Sequence, residues 1–283
     1  MSTPDYLIIG TVTRDLVPGG FRIGGTGAYA ALAARALGCR VAILTSAGDD
    51  LPLATYLDGI ELRVVPAAQS TVFENIYTPA GRRQYLRSTA AHLTAADVPP
   101  AWRKARIVHL GPLAQDLDPA LVDLFPSETL VGVTPQGWLR QWDGAGLVSR
   151  REWLEAPRIL ARADAMVLSL EDVGNDETIL HRYLSMARLA VVTRGWRGAT
   201  VFQQGHGASY PAFQVAEVDP TGAGDVFAAA FFVGLAETGD SAQAARFANA
   251  AASFAIEGEG VSTIACRAAV EERLLHGALR QEA

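Results

Sequence analysis

Cysteine is nearly absent. Cys39 and Cys266 are the only two in 283 residues, far apart and without a Cys-x-x-Cys spacing. That excludes a disulfide scaffold and a cysteine-rich zinc site, and it points to a reducing, cytoplasmic compartment. Basic charge is also short. Twenty-four Lys and Arg stand against 30 Asp and Glu, for a net charge of −6 and a pI near 5.4. Neither a nucleic-acid partner nor an anionic membrane surface is implied, although net charge says nothing about one pocket. No apolar run reaches the roughly 20 residues of a membrane-spanning helix. Val226–Leu235 is among the longest. The opening MSTPDYLIIG lacks a basic n-region and reads as a poor signal peptide. His92, His109, His181, His206 and His276 are scattered, so each reads as a surface or satisfied structural histidine rather than a metal ligand. No internal repeat, low-complexity tail or long linker divides the chain.

What is present is apolar substance. Hydrophobic residues make up 49% and charged residues 19%, enough for a large core. Strand-like runs recur at Tyr6–Thr11, Arg40–Ser46, Arg106–Leu110, Thr129–Val133, Ala165–Ser169 and Leu189–Thr193. Helix-like stretches alternate with them, at Gly27–Leu37 and Asp176–Ala187 among others. This alternation predicts an α/β fold with a central, mostly parallel sheet and helices on both faces. Leu16–Ile23 and Thr71–Leu86 break the rhythm; the second reads as two strands around Pro79-Ala80-Gly81. They predict a small β-strand lid, spanning residues 14–23 and 70–88 of one domain that covers 1–283. The last third reads as three helices, Gly224–Glu237, Ser241–Glu257 and Arg267–Leu279.

The segment with chemistry is Asp219–Phe227, DPTGAGDVF, which opens an apolar helix. Free N–H groups at a helix start, aided by the helix dipole, bind anions. Small residues let a phosphate approach that backbone. Asp225 falls in the first turn, beside the anion. There it suits a base that takes a proton from an attacking hydroxyl, with the N–H groups of Gly222, Ala223 and Gly224 stabilising charge. The plainer alternative is helix stabilisation alone, since an acidic residue in a first turn is favourable by about 0.3–1 kcal/mol.

DPTGAGDVF resembles the C-terminal signature of the ribokinase-like (PfkB) carbohydrate kinases. Gly10–Asp15 resembles that family's opening strand. Gly24-Gly25 before an alanine-rich helix resembles its first signature. Thr193–Gly198 (TRGWRG) resembles its nucleotide-side hairpin, and Asn249–Ala252 its helix beside adenine. The resemblance implies an ATP- and Mg²⁺-dependent kinase that phosphorylates a hydroxyl of a sugar, polyol, cyclitol or nucleoside. Asp225 would be the general base, and Gly222, Ala223 and Gly224 the anion hole. Asp15, Gly24, Gly25 and Asn75 would bind the acceptor. Thr193, Gly195, Gly198 and Asn249 would line the ATP site, and Asp172 and Glu171 would serve the metal. A monovalent cation such as K⁺ would belong near Asp219 and the 256–264 loop. A lid-to-lid homodimer is left open, as is a monomer.

Several positions depart from the family pattern. Tyr29 stands where the first signature has Asn, either narrowing the pocket or simply packing. Ser169 and Asp172 replace the Asn and Glu of the magnesium-linked element. Thr134–Trp142 (TPQGWLRQW) replaces an Asp-x-Asn stretch, and its Gln136, Trp138 and Arg140 either form a substrate wall or pack. Alternation puts Asn75 and Glu74 on opposite faces of the lid, and one of them faces the substrate. No Gly-x-Gly-x-x-Gly follows the first strand and no P-loop occurs, which excludes the Rossmann and P-loop readings. A non-catalytic sugar or nucleotide sensor on the same fold remains the rival.

Overall fold

The computed structural model describes residues 2–78 and 81–281. Pro79 and Ala80 of the expected lid turn, and the side chain of Tyr77, lie outside the described residues.

The strands are β1 (Tyr6–Gly10), β2 (Thr13–Val17), β3 (Gly20–Gly24), β4 (Val41–Ala47), β5 (Glu61–Pro66), β6 (Thr71–Thr78), β7 (Gly81–Ser88), β8 (Ile107–Gly111), β9 (Leu130–Val133), β10 (Arg140–Trp142), β11 (Val148–Arg150), β12 (Ala165–Ser169), β13 (Leu189–Thr193), β14 (Ala199–Gln203) and β15 (His206–Tyr210). The helices are α1 (Gly25–Ala36), α2 (Leu53–Tyr56), α3 (Ala156–Arg162), α4 (Glu177–Leu184), α5 (Ala223–Thr238), α6 (Ser241–Ala255) and α7 (Arg267–His276).

Nine strands form the main sheet in the order β15-β14-β13-β12-β9-β8-β1-β4-β5. Pairing is parallel from β5 to β13 and antiparallel only in the β13-β14-β15 edge. The period-2 rule shows in β1. Tyr6 and Ile8 enter the apolar layer under α1, α5 and α6, while Leu7 and Ile9 enter the layer that holds Trp102, Trp138 and Trp153. With both faces covered, the inner strands are mostly apolar, as a parallel sheet requires, with His109 of β8 and Thr45 and Ser46 of β4 as buried polar exceptions.

Four strands, β3-β2-β6-β7, make the lid. Its β2–β3 and β6–β7 pairs are antiparallel and its β2–β6 pair is parallel. Phe73 and Leu86 on its inner face pack on Leu113 and Ala114 of the body. The lid therefore closes over the C-terminal ends of β1, β8 and β9.

Trp138 is a core residue. Its ring stacks on Trp153 at 5.5 Å, and Trp153 meets Tyr183. Trp142 lies on β10 and is partly exposed. Neither tryptophan lines the cleft, so of the three residues considered for a substrate wall only Gln136 and Arg140 reach it.

Candidate active site

A cleft of about 810 Å³ runs between the lid and the C-terminal strand ends. One half is lined by Asp15, Gly25, Asn75 and Arg140, the other by Thr193, Gly195, Gly198 and Asn249. Gly222, Ala223, Gly224, Asp225, Glu171 and Asp172 line the same cleft. Residues separated by over 200 positions in sequence thus share one cavity.

The helix start is built by glycine geometry. Gly222 sits at φ 79°, a left-handed conformation that L side chains resist. A Cβ there would lie 2.3 Å from the Tyr29 ring. No side chain caps α5. Ala223 N–H bonds back to the Pro220 carbonyl at 3.3 Å, while Gly222 and Gly224 N–H make no backbone bond among the described residues. Of the three amides expected at the anion site, those of Gly222 and Gly224 are the ones left open. Asp219 braces the turn by accepting from Thr221 N–H at 3.0 Å. Arg22 reaches Asp219 from the lid at 3.5 Å, in the region that the resemblance gives to a monovalent cation.

Asp225 lies on the cleft floor. Burial raises its carboxyl to about 6, opposed by a hydrogen bond from Thr26. Asp172 and Asp15 push further up, and Arg140 pulls down. The Thr26 hydroxyl donates to Asp225 Oδ1 at 2.6 Å. Thr26 was not among the expected site residues; it looks like filler in an alanine-rich helix. The contact spans 199 positions, and no local pattern signals it. A donor to a carboxylate favours the charged form. Thr26→Val is therefore expected to raise the Asp225 pKa and move the acid limb of the rate profile to higher pH, with kcat lower by about tenfold. The pH dependence of kcat/KM checks this, and an unmoved limb would remove Thr26 from the base.

Other expected residues take definite positions. Tyr29 is buried with its ring against Gly222, so it shapes the underside of the anion loop. Burial and the carboxylates of Asp15, Asp219 and Asp225 hold its phenol protonated. Glu74 pairs with Arg87 on the outer lid face, whereas Asn75 faces the cleft and accepts from Gln84 at 3.1 Å. Gly24, expected to touch the acceptor, does not line the cleft. Its missing Cβ makes room for the Asp15 carboxylate, which a Cβ would approach to 2.1 Å. Asn249 lines the cleft, but its amide nitrogen is occupied by the carbonyls of Tyr210 and Pro211. Asp172 accepts from Ser169 N–H and hydroxyl at 2.8 Å and from Gln136 at 3.0 Å. Among the described residues, no group of three or more His, Cys, Asp or Glu side chains forms a metal cage. Among them too, no helix is long and apolar enough to cross a membrane.

Comparison with known proteins bears on the family and the fold. Residues 161–266 match the pfkB family carbohydrate kinase profile. The cytidine kinase of Thermococcus kodakarensis is 27% identical over 250 residues, covering 81% of this chain and 88% of that protein. A pyrophosphate-dependent kinase in the ribokinase family, solved with a pyrophosphate analog and myo-inositol, superposes with a TM-score of 0.77 at 24% identity. The match covers 94% of this chain and 99% of that one. The ribokinase of Arabidopsis thaliana, solved with ribose and ATP, superposes at 0.69 with 19% identity over 96% of this chain and 99% of that one. The fold is ribokinase-like, and the pfkB family carbohydrate kinase match falls on the segment that holds the α5 start and Asp225. It is a small-molecule kinase.

Proposed function

We propose that the protein transfers the γ-phosphoryl group of ATP to a hydroxyl of a sugar, cyclitol or nucleoside, with Asp225 as general base. The observation that carries this reading is the half-buried Asp225 carboxylate, raised to about 6, next to the open N–H groups of Gly222 and Gly224. A base poised just below neutral pH is ionised where the enzyme works and accepts a proton as the hydroxyl attacks. The acceptor would lie under the lid, against Asp15, Gly25 and Asn75. The donor would lie along Thr193, Gly195 and Gly198, with Asn249 supporting that wall from behind. Closure of the lid would exclude water from the transfer.

Magnesium fits the oxygen-rich wall at Asp172 and Glu171. This ion keeps much of its water shell and needs no protein cage. When bound, it would neutralise charge on the donor phosphates.

The test is phosphorylated product from Mg²⁺ and ATP across cytidine, ribose, fructose and myo-inositol, with pyrophosphate as an alternative donor. ATP-dependent product from one acceptor class supports the reading. Product from pyrophosphate alone would overturn ATP as donor, and no product from any pair would leave the kinase reading without support.

A further inference from the structure

The chemistry above makes no use of Tyr6 and His109, yet their contacts end in the cleft. Both side chains are fully buried. Tyr6 Oη lies 2.8 Å from His109 Nδ1, and His109 Nε2 lies 2.9 Å from Thr134 Oγ1. Thr134 follows β9 and lines the cleft.

Counting hydrogens gives each link a direction. Burial keeps the Tyr6 phenol protonated and the His109 ring neutral. The phenol hydrogen has one acceptor among the described residues, Nδ1. If Nδ1 carried the ring hydrogen, the phenol hydrogen would be stranded in the core. Tyr6 therefore donates to Nδ1. The single ring hydrogen sits on Nε2 and is donated to Thr134 Oγ1. The Thr134 hydrogen then turns away from His109. No other partner takes it among the described residues, and Thr134 lines the cleft.

The position of this donor is defined by the backbone. Thr134 N–H bonds Leu110 O, and Gly137 N–H bonds Pro112 O, so residues 134–137 run beside 110–113. Leu113 packs under Phe73 of the lid. Thr134 thus lies on the lid side of the cleft, with β12 between its strand and β13, which leads to the Thr193–Gly198 hairpin.

We propose that Thr134 is a specificity-determining residue that donates a hydrogen bond to a lone pair of the acceptor substrate, with His109 as the positioning residue that fixes this polarity. The inference rests on the kinase reading. It selects acceptors that present a hydroxyl, ring oxygen or carbonyl at that point, against those presenting only a C–H or N–H.

Two readouts test it. Nitrogen NMR of the histidine-labelled protein should find His109 as the Nε2–H tautomer; the Nδ1–H tautomer would overturn the proposal. Kinetics would use whichever panel acceptor the wild type phosphorylates. Thr134→Val should raise the acceptor KM by about 3–10-fold while the KM for ATP stays within about twofold, and Thr134→Ser should restore it. Thr134→Ala replaces the valine variant if that one does not fold. His109→Gln, which keeps a donor, should hold the acceptor KM closer to wild type than His109→Leu. An unchanged acceptor KM in Thr134→Val, a rise confined to ATP, or equal rises in both His109 variants would overturn the proposal. If no acceptor is phosphorylated, the kinase reading falls, while the tautomer still decides the polarity.

Discussion

Asp225→Asn is expected to lower kcat by about 10²–10⁴, the usual contribution of a positioned general base. Asn has nearly the same shape, and its carbonyl oxygen can still accept from Thr26, which donates at 2.6 Å in the native site. The substitution removes the proton acceptor and leaves the cleft intact, so the KM for ATP should change little. Stability should move the other way. Burial raises the folded-state pKa from the ordinary 3.8 to about 6. A raised pKa favours the folded state while the group is protonated, and that contribution is lost as pH rises through the folded value. At neutral pH and above, the ionised carboxylate is therefore a cost. Asp225→Asn should be more stable than wild type there by about 1 kcal/mol, allowing for cleft water that still reaches the group. Thermal melts should show that difference closing in acid, below the ordinary carboxylate range. A variant that is inactive and less stable at every pH would point to a structural role instead.

Gly222→Ala carries the second large effect. The residue is at φ 79°, and its new Cβ would lie 2.3–2.4 Å from three ring atoms of Tyr29. Tyr29 is 2% exposed and its rigid ring has little room to retreat. The left-handed strain and the overpacking together should destabilise the protein by about 2–4 kcal/mol. Moving the helix start also moves the open amides away from the developing charge, a loss of about 10²–10³ in kcat. Gly224→Ala is the matched comparison, since its Cβ would meet nothing within 4 Å. It should fold at least as well as wild type, because alanine suits a helix better than glycine. Its turnover then reports only how closely the phosphoryl group must approach the backbone. Equal melting temperatures for the two variants would contradict the packing argument.

Much of this site was legible in the sequence because its pieces are local. Strands Ala165–Ser169 and Leu189–Thr193 appear with the expected bounds. The helix start after Gly222 was marked by glycine spacing, and the β6–β7 hairpin by the Pro79-Ala80-Gly81 sequence between two strand-like runs. The missing parts are those whose meaning is set by distant neighbours. β5 ends in Pro66 and carries Glu61 and Arg63, so its pattern lacks the signal of a buried strand. The β14–β15 hairpin turns at Gln204-Gly205, where only the glycine hinted at it. α7 stops at His276 rather than Leu279, because Gly277 turns extended at ψ 142° after its N–H closes the last helical bond, to Arg273 O. Thr26, Tyr6 and His109 carry no motif; their roles come from contacts across 199, 103 and 25 positions. Asn249 shows the converse. Its place in the cleft was readable, but its amide is spent on holding the Tyr210–Pro211 backbone.

The most direct measurement is the pH dependence of kcat/KM for the acceptor at saturating Mg²⁺ and ATP, in wild type and Asp225→Asn. An ionised Asp225 acting as base gives an acid limb of unit slope with an apparent pKa of about 6, and that limb is absent from the residual activity of the variant. A wild-type profile that stays flat through this region, or a limb that persists in Asp225→Asn, would contradict Asp225 as the base.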